Sequence, residues 1–279
     1  MDQRLQLCAF ADEAGNTLEE QIAALKDNRI SYLELRGVDG KNVADLSADE
    51  AKNIYSRLDE QGIRVWALGS PAGKTKITAD FAFEEERFKR LLEIADLTHA
   101  NCIRLFSFYD TAGDGAYFDE VCARLSRFIE LANGHHVKLC HENEKGIYGD
   151  TAERCLQLHR ALPQLGCVFD PANFMQCGVN TLTAWDLLEP YISYMHIKDC
   201  APDGNIVPPG DGEGNIATLA ARYAKRGGGI MTMEPHLMDF VGLAGLEEEG
   251  DKSAVGGLKF ANNRQAFDYA VASLRKITE

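Results

Sequence analysis

Four apolar runs in the second half of the chain each end in a group able to hold a metal ion. VKLCHENE (137–144) carries Glu142, GCVFDPA (166–172) carries Asp170, YMHIKD (194–199) carries His196 and IMTMEPH (230–236) carries Glu234. The apolar residues before each group would bury it. Three carboxylates close together repel, and removing them from water is costly unless a positive charge neutralises them. A divalent cation does so. Oxygen ligands mixed with one imidazole suit Mn²⁺, Mg²⁺ or Co²⁺ at least as well as Zn²⁺. Four protein ligands on an octahedral ion leave two positions for adjacent carbonyl and hydroxyl oxygens of a substrate. Each residue alone has a plainer reading. A strand-end Glu is solvated or caps a helix, Asp170-Pro171 favours a turn, and a lone His196 is a satisfied core histidine. It is their coincidence that points to metal.

The elements that would position these groups follow from periodicity. Besides the four runs above, LQLCAFA (5–11), YLELRG (32–37), VWALGS (65–70) and CIRLFSF (102–108) make eight in all, spaced by roughly 25 to 40 residues, the rhythm of repeated βα units. Helical stripes lie between them. Leu18, Ile22 and Leu25 follow a Thr17-x-x-Glu20 capping box, and Ala51, Ile54, Tyr55 and Leu58 follow a Ser47-x-x-Glu50 box. Phe88, Leu91, Leu92 and Ala95 form a third stripe; 124–132, 150–162, 182–188 and 216–225 are the next four; Phe267, Ala270, Val271 and Leu274 mark the last. The expectation is one (β/α)8 TIM barrel with parallel strands spanning 1–279, with the active site at the C-terminal ends of its strands. An open doubly wound sheet would want a Gly-rich phosphate turn after its first strand, and FADEAGN has none. Two long loops, 200–214 and 237–262, fall on the same face as the four ligands.

Composition narrows the function classes. The chain has 29 Lys and Arg against 43 Asp and Glu, a net charge of −14, which disfavours nucleic acid as a partner. No apolar run approaches the roughly 20 residues of a membrane helix, and MDQRLQLCAFADEAG lacks a signal-peptide core. The expected compartment is the cytoplasm, with the eight Cys reduced and structural, since none forms a CxxC pair.

These residues resemble a known group. Glu142 with Asn143, FDPANF around Asp170, MHIKD around His196 and MEPH around Glu234 look like the xylose-isomerase-like barrels, as do FADEAGN-TLEEQ, ELRG and PPGDGEGNI. This is the sugar phosphate isomerase/epimerase group that includes tagatose and psicose 3-epimerases and inosose dehydratases. The resemblance covers nearly the whole chain and implies a small-molecule carbohydrate substrate, often a homo-oligomer, and one divalent ion, Mn²⁺ foremost, held by Glu142, Asp170, His196 and Glu234. It also implies that the ion binds the substrate's carbonyl and a neighbouring hydroxyl, stabilising an enediolate, while Glu142 and Glu234 remove and return the proton from opposite faces. The chain departs from the epimerases in two places. Their His three residues after the strand-six Asp is Asn173 here, which cannot carry a proton and would hydrogen-bond substrate or bound water. Their Arg after the strand-seven His is missing from KDCAPDG. By alternation Lys198 shares a strand face with His196, and His236 with Glu234; both are candidates to contact substrate.

Arg36, Lys74 and Arg104, from three adjacent strand ends, are further candidates, suited to an acidic or phosphorylated substrate. The alternative is that each pairs with a neighbouring carboxylate such as Glu34 or Asp12. GSPAGK lacks the spacing of a nucleotide P-loop. The leading function is therefore a metal-dependent isomerase or epimerase of a sugar or sugar derivative, with a lyase of a keto-sugar or inosose as the alternative. A DNA-repair endonuclease on the same barrel would need many His ligands and a basic face, against seven His and a charge of −14. An inactive binding barrel would not need the intact ligand set.

Overall fold

Thr17 and Ser47 do what their spacing predicts. Each accepts a hydrogen bond from the backbone of the Glu three residues on, whose side chain returns to the cap, and so starts α1 (Leu18–Asp27) and α2 (Ala48–Glu60). In the computed structural model, residues 4–243 and 258–278 are described. The centre of the expected 237–262 loop lies outside them.

The strands are β1 (Leu5–Ala9), β2 (Tyr32–Leu35), β3 (Arg64–Leu68), β4 (Cys102–Leu105), β5 (Lys138–Glu142), β6 (Gly166–Phe169), β7 (Ile192–Ile197) and β8 (Gly229–Met233). All eight pair in parallel in chain order, and β8 closes on β1 with Met233 opposite Ala9. The (β/α)8 barrel is thus observed. Seven of the eight strands are shorter than their apolar runs, and β7 begins two residues before YMHIKD. Strand six stops at Phe169, because Asp170 caps a short helix α6 (Pro171–Gln176) with Pro171 in its first turn. Asp170 and Glu234 therefore sit one residue past their strands, and Lys198 one past β7.

The remaining helices are α3 (Phe81–Thr98), α4 (Phe118–Leu131), α5 (Ala152–Ala161), α7 (Thr181–Leu188), α8 (Ile216–Lys225) and α9 (Asn263–Thr278). Helix α4 begins before the expected Arg124, carried on from the turn Gly115–Tyr117. Two short ribbons project beyond the barrel strands, Gly37–Val38 with Lys41–Asn42 and Asp199–Cys200 with Ile206–Val207.

The core has two layers. Between helices and sheet, Phe88 stacks on Phe128 at 4.3 Å, and Phe108 and Phe81 pack beside them. A separate buried cluster, Cys8, Ala67, Cys102, Cys140, Val168, Tyr194 and Ile230, fills the barrel interior. Strand alternation puts Cys140 on the face of Glu142, Val168 on that of Asp170, Tyr194 on that of His196, and Ile230 with Thr232 on that of Glu234. The apolar cluster is thus the floor under the candidate ligands. None of the eight cysteines is in a disulfide. Among the described residues no helix is long and apolar enough to cross a membrane.

Candidate metal centre

The barrel brings Glu142, Asp170, His196 and Glu234 together, with ligand atoms all within 4.8 Å of one another. All four are buried. Each presents one atom to a common centre, and a second atom is held by the protein. Glu142 receives a hydrogen bond from Arg104 Nη1 on Oε2 at 2.7 Å, and its Oε1 lies 2.9 Å from His196 Nδ1. Glu234 receives Arg36 Nη1 on Oε1 at 2.9 Å, and its Oε2 lies 3.2 Å from the same Nδ1. Asp170 accepts the backbone N–H of Asn173 on Oδ1 at 2.9 Å, which leaves Oδ2 facing Lys198. Lys198 Nζ lies 3.0 Å from Asp170 Oδ2 and 3.5 Å from Glu234 Oε2.

Those last two oxygens are ion-paired, but neither accepts a hydrogen bond of proper geometry among the described residues. Buried carboxylate oxygens without a directed donor are uncommon and call for a partner. Two such oxygens, a third from Glu142 and one imidazole nitrogen form a donor set that fits a divalent cation.

The electrostatics match. Burial pushes the Glu142 carboxyl up, but His196 and Arg104 outweigh it and hold the group at about 2. Glu234 is opposed by burial in the same way, and Lys198 and His236 bring it well below the carboxylate range. Burial wins at Asp170, raised to about 6 despite Lys198. Burial disfavours charge on His196, yet Glu142 and Glu34 raise it well above the usual imidazole value.

The basic trio is paired, as the alternative reading of the sequence allowed. Arg36 Nε and Nη2 bind both oxygens of Asp12 at 2.9 and 3.0 Å, and Nη2 also reaches Glu13 Oε1 at 2.9 Å. Its guanidinium stacks on the rings of Phe10 and Phe240. Lys74 Nζ meets Glu144 Oε2 at 3.3 Å and lies over Phe106. Arg104 also stacks on Phe106, and its Nε and Nη2 have no hydrogen-bond partner among the described residues. Asn173 Nδ2 donates to Asn143 O at 2.9 Å and approaches Glu142 Oε1 at 3.4 Å. His236 adopts a left-handed φ of 46°, with Nε2 3.3 Å from both Glu13 Oε1 and Glu234 Oε1. Glu13, Glu234 and His236 form a second group of possible ligands. Arg36 already donates to the same Glu13 and Glu234 oxygens, so a cation is in place there.

Three participants were not assigned roles at the centre from sequence. Glu13 bonds Arg36 and the His236 N–H. Asn143 exchanges two hydrogen bonds with the Asp170 backbone, tying β5 to β6. Glu34 is fully buried beneath His196. Its signal was an acidic residue amid apolar neighbours in YLELRG, two residues from Arg36 on the same strand face.

Comparison with known proteins agrees with this architecture. No curated protein sequence matches. Among solved structures, the probable 3-DHS dehydratase AsbF of Bacillus anthracis aligns with TM-score 0.73 at 17% identity, covering 99% of this chain and 98% of that one. The IolI protein with a bound zinc atom aligns with TM-score 0.74 at 15% identity, over 98% of each chain. D-psicose 3-epimerase from Clostridium cellulolyticum H10 aligns with TM-score 0.75 at 14% identity, over 98% of this chain and 99% of that one. At these identities the likeness is one of fold. The family model for the xylose isomerase-like TIM barrel matches residues 22–263, and the chain belongs to that family.

Proposed function

We propose that this protein is a divalent-metal-dependent isomerase or epimerase of a sugar or sugar derivative, working by proton transfer at a carbon next to a carbonyl. The observation that carries the reading is the inward convergence of Glu142 Oε1, Asp170 Oδ2, His196 Nδ1 and Glu234 Oε2, each ligand's other polar atom being held by a neighbour. An ion bound there, Mn²⁺ in the first instance, with Mg²⁺, Co²⁺ or Zn²⁺ as alternatives, would polarise the carbonyl and stabilise the negative charge left by the departing proton.

The chain's own residues do the rest. Glu142 and Glu234 are held as carboxylates, the form that accepts a proton. They approach the centre from β5 and β8, so one can take the proton and the other return it to the opposite side of the carbon. Arg104 and Arg36 fix their orientation. Arg104 Nε and Nη2, with Lys198 and Lys74, are donors for substrate oxygens. Asn173 and His236 flank the two glutamates and complete the substrate-facing set.

A lyase of a keto-sugar or inosose is the second reading. Asn173 favours it, because it stands where the epimerases that the chain resembles carry a His, and an amide cannot move a proton. Lys198, beside Asp170 and Glu234, is placed to protonate a leaving hydroxyl.

Both readings begin with loss of the α-proton, so one experiment tests them together. The protein with Mn²⁺ is incubated with a panel of ketoses and inososes in D₂O and followed by NMR. Deuterium is expected next to the carbonyl of at least one compound, and Glu142→Gln and Glu234→Gln should each slow it by about 10²–10⁴-fold. Product mass then separates an isomerase, which conserves it, from a lyase. No deuterium at any such carbon argues against both.

A further inference from the structure

We propose that Glu34 is a positioning residue that commits His196 to present Nδ1, and only Nδ1, to the metal; this rests on the metal reading above. A neutral imidazole offers one lone pair, and the partner of its other nitrogen decides which nitrogen carries it. His196 is fully buried among three carboxylates. Nδ1 faces Glu142 Oε1 at 2.9 Å and Glu234 Oε2 at 3.2 Å, toward the ligand centre. Nε2 faces Glu34 Oε2 at 3.2 Å, toward the barrel floor.

As a carboxylate, Glu34 acts only as an acceptor there. Tyr194 Oη donates to its Oε1 at 2.9 Å, and Thr232 Oγ1 donates to its Oε2 at 2.8 Å. A carboxylate that receives two hydroxyl protons and has none to give requires the third partner to be a donor as well. With an ion at the ligand centre, the proton therefore sits on His196 Nε2 and the lone pair on Nδ1. The three donors come from β7 and β8, and Glu34 from β2 across the barrel. The pairing of β2 with β3 shifts register at Glu34, which sits opposite Ala67 while Leu33 sits opposite Val65. Edge-on contacts of the ring with Phe10 at 5.1 Å and Tyr194 at 5.5 Å hold it against rotation.

The test is calorimetric titration of the full-length protein with Mn²⁺ for the wild type, Glu34→Gln, Glu34→Leu and Thr232→Val. Partners that orient a metal-ligating histidine typically contribute about 10–100-fold in affinity. Glu34→Gln keeps an acceptor oxygen and should weaken binding about tenfold; Glu34→Leu removes it and should weaken binding about 100-fold. Thr232→Val frees one Glu34 oxygen and should cost a few-fold. Nitrogen NMR of the Zn²⁺-loaded wild type should show His196 protonated on Nε2, a result that a purely space-filling role for Glu34 does not require. Unchanged Mn²⁺ affinity in folded Glu34→Gln and Thr232→Val, or a proton on Nδ1 in the loaded wild type, overturns the proposal even if Glu34→Leu fails to fold. A wild type that takes up no ion instead overturns the metal reading itself, and the role of Glu34 with it.

Discussion

Arg36 shows why charge at this centre is held in a network. Its guanidinium, 2% exposed, binds Asp12, Glu13 and Glu234 together. Removing one partner of a buried ion pair leaves the others desolvated and unpaired, at about 3–5 kcal/mol. Arg36→Met should therefore lower unfolding stability by about that amount in urea titration, and a change under 1 kcal/mol would mean that the carboxylates relax to water. The clustering of Glu142, Asp170, His196 and Glu234 was legible in the sequence because each ends an apolar run that had to bury it. The partners of Arg36 and Arg104 were only partly legible. Asp12 was named as one possibility, but Glu234 lies 198 positions from Arg36, and nothing local in ELRG points to it. Charge in a barrel strand announces that a partner exists, and only closure of the barrel says which.

The loop that follows β7 is organised by a single carboxylate. Asp199 Oδ2 accepts the N–H groups of Gly210 at 2.8 Å and Gly212 at 3.2 Å, and Oδ1 accepts those of Gly214 at 2.9 Å and Cys200 at 3.0 Å. This explains the last two glycines of PPGDGEG, since a Cβ at Gly212 or Gly214 would lie 2.4 or 2.5 Å from Asp199 Oδ1. Asp199→Asn turns an amide against backbone donors. It should cost about 2–3 kcal/mol and expose 200–214 to limited proteolysis, while an unchanged cleavage pattern would contradict this anchoring. The sequence marked that loop as long and Gly-rich, but the side chain that folds it was not identifiable, because its partners are backbone groups.

Helix α5 lies against β5 through His159 and His141, whose rings are 6.0 Å apart. Burial is the main cause that lowers both, His141 to about 3 and His159 to about 4. Their folded values lie below the ordinary imidazole value, so the stability they contribute is complete above pH about 6.5 and is lost as pH falls toward 4. Each adds a slope of up to about 1.4 kcal/mol per pH unit over that window. Urea unfolding at pH 7, 6 and 5 should show the decline, and His159→Phe should remove its share; a stability flat across these pH values would show that both rings reach water.

At the scale of the whole molecule, eight βα repeats could be counted in the sequence because two periodicities alternate through it. Strand ends were less clear, since Asp170 and Pro171 start a helix inside an apolar run. The closed barrel supplies what no single repeat can: an apolar floor that includes Cys8, Cys102, Cys140 and Tyr194 beneath, and four candidate ligands from four neighbouring strands above. The measurement that tests this assembly most directly is anomalous diffraction from a crystal soaked in Mn²⁺. The account predicts one strong peak about 2.0–2.4 Å from Glu142 Oε1, Asp170 Oδ2, His196 Nδ1 and Glu234 Oε2, absent in Asp170→Asn. No peak among these atoms, or one seated instead among Glu13, Glu234 and His236, would contradict it.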